Sequence, residues 1–522
     1  VSEQVAAAWA AIEACERRTL DELFAADPQR VGKLSARLDW GTDDEPGGAL
    51  FDWSKTHLDD TLLGAFEALA EARDFTAKRA ALLAGEKVNT TEGRAAEHTA
   101  QRGLGSDAAV EEAAALHHRM HMLVEAIHGG ALGPVRHLIH IGIGGSALGP
   151  KLAIDALARD PGSGAGAGGG EVAVHVVSNI DGLALEAAFA RCDPATTLIA
   201  VASKTFTTIE TMTNAASALQ WLEQNGVADP YGRVVALTAA PEKAVEWGVD
   251  ETRVLPFPGS VGGRYSLWSS IGFPIALALG WAEFHAMLAG ARAVDNHFAG
   301  TDGRANLPLR AAFADRYYAQ VRGCQTRAVF AYDERLALFP AYLQQLEMES
   351  NGKRVTADGA PVSGPTAAVT WGGVGTDGQH AVFQLLHQGT VEVPVDFIAS
   401  IAPGDVLDPA HHRILLMNCF AQGAALMAGQ QGDESDSLGL ARAHPGDRPS
   451  ATILCDDIDA ATLGVLIAFH EHRTFANAVL MGINPFDQFG VELGKAIANR
   501  IDAGGARFDA STEELLAAAG FS

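Results

Sequence analysis

Apolar and alanine positions recur at helical spacing through residues 5–23, 61–83 and 108–127, so residues 1 to about 130 read as a helical region. A turn-rich loop interrupts it at 41–48. Near residue 137 the pattern changes to short apolar runs alternating with helical periodicity. The runs 137–143, 172–177, 198–202 and 234–237 predict strands, and 146–159 predicts a helix with Pro150 near its first turn, where proline is tolerated. The Gly/Ala/Ser run 161–170 reads as a flexible surface loop. A second alternating block begins near residue 310. Its predicted strands are 327–332, 367–371, 392–398 and 452–455, and its predicted helices are 336–348, 380–387, 413–428 and 463–479. Alternating strands and helices imply an α/β fold with parallel sheets covered by helices on both faces. Ligands of such sheets sit at the carboxyl ends of the strands.

A chain of 522 residues predicts two or three packed units, and 48% apolar residues supply sizeable cores. The formal net charge of −26 argues against nucleic acid and anionic membranes as partners. An anionic substrate then needs a local positive site. Cys15, Cys192, Cys324, Cys419 and Cys455 are scattered and odd in number, a reducing-compartment pattern. Glu3, Glu13 and Glu16 among alanines do not fit a secretory signal, and the apolar run 271–281 is too short to span a bilayer. A soluble, cytoplasmic protein is expected.

Five segments carry candidate chemistry. Residues 141–150 (IGIGGSALGP) follow a predicted strand; the glycines permit a sharp turn and close approach to a ligand, and the next helix offers free N–H groups to an anion. Gly142, Gly144 and Ala147 also fit the loose dinucleotide pattern, without a well-spaced ribose-binding acid. Residues 203–211 (SKTFTTIET) place Ser203, Thr205, Thr207 and Thr208 with Lys204 around a helix start. Thr207 with Glu210 fits a capping box, but one cap needs one hydroxyl, and the surplus suits a phosphate cradle. Residues 258–266 put Arg264 after two glycines, where a guanidinium can face developing negative charge. A helix running to Glu349 stops at Ser350, Asn351 and Gly352, which can hold one carboxylate near a substrate. His380 is placed at a helix start after the glycine-rich 372–378, where the dipole disfavours an imidazolium and suits neutral acid/base duty. In 484–495, Pro485 starts a helix on which Gln488 and Lys495 share one face. Two histidine pairs offer less: His117 and His121 lack a third metal ligand, and His470 with His472 reads as polar surface or a core hydrogen-bond partner.

Together GIGGSALGP, SKTFTTIET, VGGRYSLWSSIG, MESNGK with GTDGQHAVFQLLHQGT, and GINPFDQFGVELGK resemble, in order, the motifs of the glucose-6-phosphate isomerase (phosphoglucose isomerase) family, over roughly residues 40–510. The resemblance implies two sugar-isomerase (SIS-type) α/β domains with parallel sheets flanked by helices, plus helical N- and C-terminal extensions. The expected division is a helical region 1–115, a larger domain 116–285, a second domain 286–500 and an extension 501–522. It implies interconversion of glucose 6-phosphate and fructose 6-phosphate in glycolysis and gluconeogenesis. Glu349 would shuttle the proton between C1 and C2, and Arg264 would stabilise the enediolate. His380 and Lys495 would assist ring opening, with His380 donated across a homodimer interface. Ser203, Lys204, Thr205 and Thr208 would hold the phosphate, while Gly145, Ser146, Gln345 and Gln488 would line the substrate. No metal or organic cofactor is implied. Ala147, Ile209, Gly373-Val374 and Phe489 stand where the family commonly has Asp, Gln, Glu-Pro and Trp. They bear on substrate breadth more than on reaction type.

The bottom-up chemistry agrees. Aldose–ketose exchange needs a base for a carbon-bound proton and an electrophile for the growing oxyanion. Two rival readings are a non-catalytic sugar-phosphate sensor, which would not need Glu349, His380 or Lys495, and a nicotinamide-dependent oxidoreductase, which would need the missing ribose acid.

Overall fold

A computed structural model describes residues 3–41, 47–159, 172–432, 435, 437–505 and 507–521. The predicted loop 161–170 and most of the 41–48 turn lie outside the described residues. The described chain divides into two compact units, Val1–Pro485 and Phe486–Ser522.

The first unit is built on two sheets. One is wholly parallel, in the order β4-β3-β5-β6-β7: β3 (His137–Gly142), β4 (Ala173–Val177), β5 (Thr197–Ala202), β6 (Val234–Thr238) and β7 (Val254–Pro256). Every residue of β5 and β6 is buried, as expected for strands covered on both faces. The three-residue β7 has no sequence signal of its own and was not anticipated. One face carries Ile139, Ile141, Val177, Ile199 and Val201 against Leu185, Ala215, Leu219 and Leu222 of the flanking helices. The other sheet has the order β1-β2-β11-β10-β8-β9. Its parallel strands are β8 (Thr326–Tyr332), β9 (Val369–Val374), β10 (Val395–Ser400) and β11 (Ser450–Cys455).

The N-terminal region is not helical throughout. β1 (Ser35–Asp39) and β2 (Gly48–Asp52) form an antiparallel pair, and β2 then pairs antiparallel with β11. Five-residue strands between alanine-rich helices are too short to stand out by period. Fully buried Phe51 explains the docking: its ring lies 4.9 Å from Phe469 and 6.1 Å from Trp53.

Every residue of the helix Ala460–Met481 except Ala461 is buried. His470 and His472 are therefore core residues. His472 Nε2 lies 2.7 Å from Asp295, which also takes two hydrogen bonds from Arg102, and Arg102 Nη1 reaches Glu471 at 2.5 Å. Burial alone would raise the Asp295 carboxyl, but Arg102 and His472 outweigh it and hold it at about 2. Glu471 in turn accepts from Trp268 Nε1 at 2.7 Å, tying the Arg264 loop to the central helix. His117 bonds the Trp268 carbonyl and His121 stacks on Trp281.

No helix among the described residues is long and apolar enough to cross a membrane.

Candidate active site

The site is assembled at the carboxyl ends of β3 and β5, whose last residues Gly142 and Ala202 are register partners. The turns that follow these strands are therefore neighbours. After β3 the chain turns through Gly144, whose φ is +55°. A Cβ on Gly144 would lie 2.8 Å from Gln345 Nε2, and one on Gly145 would lie 2.1 Å from the carbonyl carbon of Gly263. Glycine thus lets this turn pack directly on the Arg264 loop and on Gln345. The buried His140 ring fixes the turn from below. Its Nε2 lies 2.7 Å from the Ser146 carbonyl, and burial pushes the imidazole down to about 4, so it serves as a neutral donor.

After β5 the hydroxyls form two pairs: Ser203 Oγ with Thr208 Oγ1 at 3.0 Å, and Thr207 Oγ1 to Thr205 Oγ1 at 2.9 Å. The expected Thr207–Glu210 capping box is absent. The helix Ile209–Gln224 starts after Thr208, and Thr208 makes no side-chain cap. Its N-terminal N–H groups are left to another acceptor. Phe206, within the turn, has φ +51°, a conformation disfavoured for a bulky residue. Its side chain is buried against Trp247, which pins the strained turn. Lys204 is half-buried, and its Nζ donates to the carbonyls of Gly259 at 2.7 Å and Val261 at 2.8 Å. Burial, with help from Arg94 and Arg264, lowers this ammonium to about 8. Lys204 thus links the hydroxyl turn to the loop that leads to Arg264.

Arg264 is 4% exposed. Its Nε donates to Ser350 Oγ at 2.6 Å, its Nη2 to the Pro485 carbonyl, and its Nη1 lies 3.6 Å from Glu349 Oε2. Tyr265 stacks on His98 and meets Ser350 Oγ at 2.9 Å. Glu349 ends a π-helical stretch, Gln344–Glu349, that follows the short α-helix Phe339–Leu343. The predicted regular helix 336–348 is thus broken into tighter and wider turns. Such π segments are frequent at functional sites. Gln345 Nε2 donates to Glu349 Oε2 at 2.9 Å, and Lys353 Nζ holds the Glu349 carbonyl at 2.7 Å. Glu347 anchors the stretch from behind, bonded to Arg327 and to Thr370 Oγ1 at 2.8 Å. Gly145, Ser146, Ser203, Lys204, Thr208, Arg264, Gln345 and Glu349 are therefore joined by one continuous set of contacts. Thr205 is exposed at the outer edge of its turn.

The phosphoglucose isomerase family model matches residues 52–516. The chain belongs to the phosphoglucose isomerase family. It is 74% identical over 519 residues to the glucose-6-phosphate isomerase of Erythrobacter litoralis, covering 98% of each chain. It is 58% identical over 515 residues to that of Zymomonas mobilis, covering 98% of this chain and 97% of the relative. The crystal structure of a glucose-6-phosphate isomerase from Chlamydia trachomatis superposes with a TM-score of 0.86 at 29% identity, covering 100% of this chain and 99% of that one.

Within this phosphoglucose isomerase chain, His380 departs from its expected local setting. β9 continues through the glycines to Val374, and the next helix, Gly375–Ala381, begins five residues earlier than anticipated. His380 sits in its last turn, exposed, and makes no hydrogen bond to Glu349. The helix-start dipole argument does not apply to it. Gln488 and Lys495 lie in the second unit. Pro485 does not start a helix: Gln488 precedes a 3-10 turn, Phe489–Val491, and exposed Lys495 stands on the helix Glu492–Asp502. They do not share one continuous helix face. Sequence reasoning missed the supporting residues His140, Tyr265, Ser350 and Lys353. Ser350 and Lys353 were within the motif, read as a stop and a neighbour.

Proposed function

We propose that this chain interconverts D-glucose 6-phosphate and D-fructose 6-phosphate, a step of glycolysis and gluconeogenesis, with Glu349 carrying the proton between C1 and C2. The observation that supports these roles is the Glu349 carboxylate held beside the Arg264 guanidinium, on a loop that Lys204 ties to the hydroxyl-rich turn. Ser203, Thr205, Thr208 and the N-terminal amides of Ile209–Gln224 take the phosphate, and Lys204 adds a nearby positive charge. Gly145, Ser146 and Gln345 line the sugar. Both side-chain contacts of Glu349 fall on Oε2, which leaves Oε1 for the carbon-bound proton. As that proton leaves, charge grows on the sugar oxygen, and Arg264 offsets it. The carboxylic acid so formed returns the proton to the neighbouring carbon. Incubating the protein with fructose 6-phosphate, with no cofactor added, should yield glucose 6-phosphate; no conversion would leave the sugar-phosphate sensor as the reading.

Ring opening belongs to His380 from a second subunit, with Lys495 assisting and Gln488 contacting the sugar. Exposure of His380 supports this placement. So does the apolar surface beside it, with Leu385, Ile414, Met417 and Phe420 all exposed, which suits a second copy of the chain. Mixing inactive Glu349→Gln and His380→Asn proteins tests the arrangement. Exchange of subunits should restore part of the activity, because a heterodimer holds one site with both groups intact. No recovery, with dimer exchange shown independently, would put His380 in its own subunit's site.

The domain division at about residue 285 is part of this reading, supported by the first sheet lying within 137–256 and the parallel strands of the second within 326–455. A cytoplasmic location fits the five free cysteines.

The cradle assignment carries its own expectation. Inorganic phosphate should inhibit competitively, and Ser203→Ala with Thr208→Val should weaken that inhibition by about 100-fold or more, from the loss of two hydrogen bonds to a charged group. Inhibition should also weaken as pH rises through about 8, where the Lys204 ammonium loses its charge. Inhibition constants measured for wild type and variant across pH decide both points.

A further inference from the structure

His137 opens β3 and His175 is the middle residue of the edge strand β4. In the parallel register His137 pairs with Ala173 and Ile139 with His175. Both histidines therefore project from the face that carries Ile139, Ile141 and Val177. Cys192, just past the helix Gly182–Phe189, packs on that same apolar cluster. One nitrogen from each ring and the Cys192 sulfur lie within 4.8 Å of one another. The two rings are 5.9 Å apart and tilted by 30°. His137 Nδ1 and His175 Nε2 are both buried and have no hydrogen-bond partner. Two rings that each keep a buried, orphaned nitrogen, beside a thiol and on a face that also carries Ile and Val, have polar capacity that core packing and the isomerase site do not use.

We propose that His137, His175 and Cys192 bind one zinc ion at the amino end of the first sheet. Two imidazoles and a thiolate are a borderline-to-soft donor set that suits Zn2+ and excludes Mg2+ and Ca2+, which need oxygen ligands. Tetrahedral zinc, with bonds of about 2.0–2.1 Å to nitrogen and about 2.3 Å to sulfur, places its donors about 3.3–3.8 Å apart. The three groups have to close by about 1 Å to reach this, and His175, on an edge strand, has room to adjust. Water completes the fourth position. On binding, the Cys192 thiol releases its proton to solvent and gives up its bond to Thr197. The site stands away from the chemistry: His137 and Gly142 are the two ends of the six-residue β3, about 16 Å apart along the strand. Its effect is to clamp the edge strand to its neighbour and to the segment that follows the helix Gly182–Phe189. Isomerase turnover does not depend on it.

The test uses full-length protein stripped with a chelator and titrated with Co2+, which reports tetrahedral thiolate ligation by its absorption. One equivalent should give a thiolate-to-cobalt charge-transfer band that Zn2+ abolishes. Cys192→Ser should remove the band, and His175→Asn should weaken Zn2+ binding at least tenfold, measured by competition with a chromophoric chelator. Zn2+ should raise the melting temperature of wild type and not of Cys192→Ser. Both variants should keep wild-type isomerase activity, which also shows that they fold. A missing band in wild type, or a band that survives in folded Cys192→Ser, overturns the proposal.

Discussion

Glu349→Gln is expected to lower kcat by about 1,000- to 10,000-fold, the usual loss when a positioned acid–base group is removed. That corresponds to about 4–5.5 kcal/mol of transition-state stabilisation. The amide keeps the shape of the carboxylate and can still meet Gln345, so little else should change. KM should stay within a few-fold of wild type, because the phosphate is held by a different turn, after β5. Steady-state kinetics in both directions measure the split. Solvent deuterium incorporation at C2 of glucose 6-phosphate gives a second reading and should vanish with turnover. A variant that kept a tenth of the wild-type rate would exclude Glu349 as the base.

Arg264→Lys should cost about 100- to 1,000-fold in kcat, comparable to removing a donor from an oxyanion site. The guanidinium acts as a fork: Nε holds Ser350, Nη2 holds the Pro485 carbonyl and Nη1 faces Glu349. A lysine carries the charge but cannot fill three directions from one plane. The variant therefore leaves a buried hydroxyl and a buried carbonyl short of a partner. Stability should fall by about 1–3 kcal/mol, from the usual cost of such groups. Denaturant unfolding separates the two effects. A full loss of activity at unchanged stability would mean that the charge geometry matters and the tethering does not. Unchanged kcat would remove Arg264 from the electrostatic role.

Four of the five strands of the first sheet, β3 to β6, and the motif order were legible because apolar runs and glycine turns leave strong local signals. β3, β5 and β6 fall within a residue or two of expectation. β1 and β2 were not legible, since what defines them is pairing with β11 at the far end of the chain. The helix before Glu349 shows the same limit at smaller scale. Its apolar period predicts a regular helix, but the π stretch is set by buried partners of Glu347, among them Arg327 and Thr370, which no local pattern reveals. The hydroxyls of 203–208 were read for number and not for geometry, so the cap was expected at Thr207 and is not made. His380 was misplaced because glycines 372 and 373 read as loop, whereas Gly372, with φ +155° and no room for a Cβ beside the Val329 carbonyl, continues β9. Arg264 and Glu349 were legible as chemistry, while the residues that aim them were not.

The pairing of β2 with β11 bears on how this chain is made. Phe51 lies opposite Ile453, about 400 residues later. During synthesis the early hairpin leaves the ribosome long before its partner exists, and its apolar side must wait in solvent or find temporary cover. Closing so large a loop costs entropy that no local contact returns in advance. Nascent chains halted before residue 455 should therefore be prone to aggregate and to depend on chaperones, whereas a permuted gene that starts near β10 would shorten the delay.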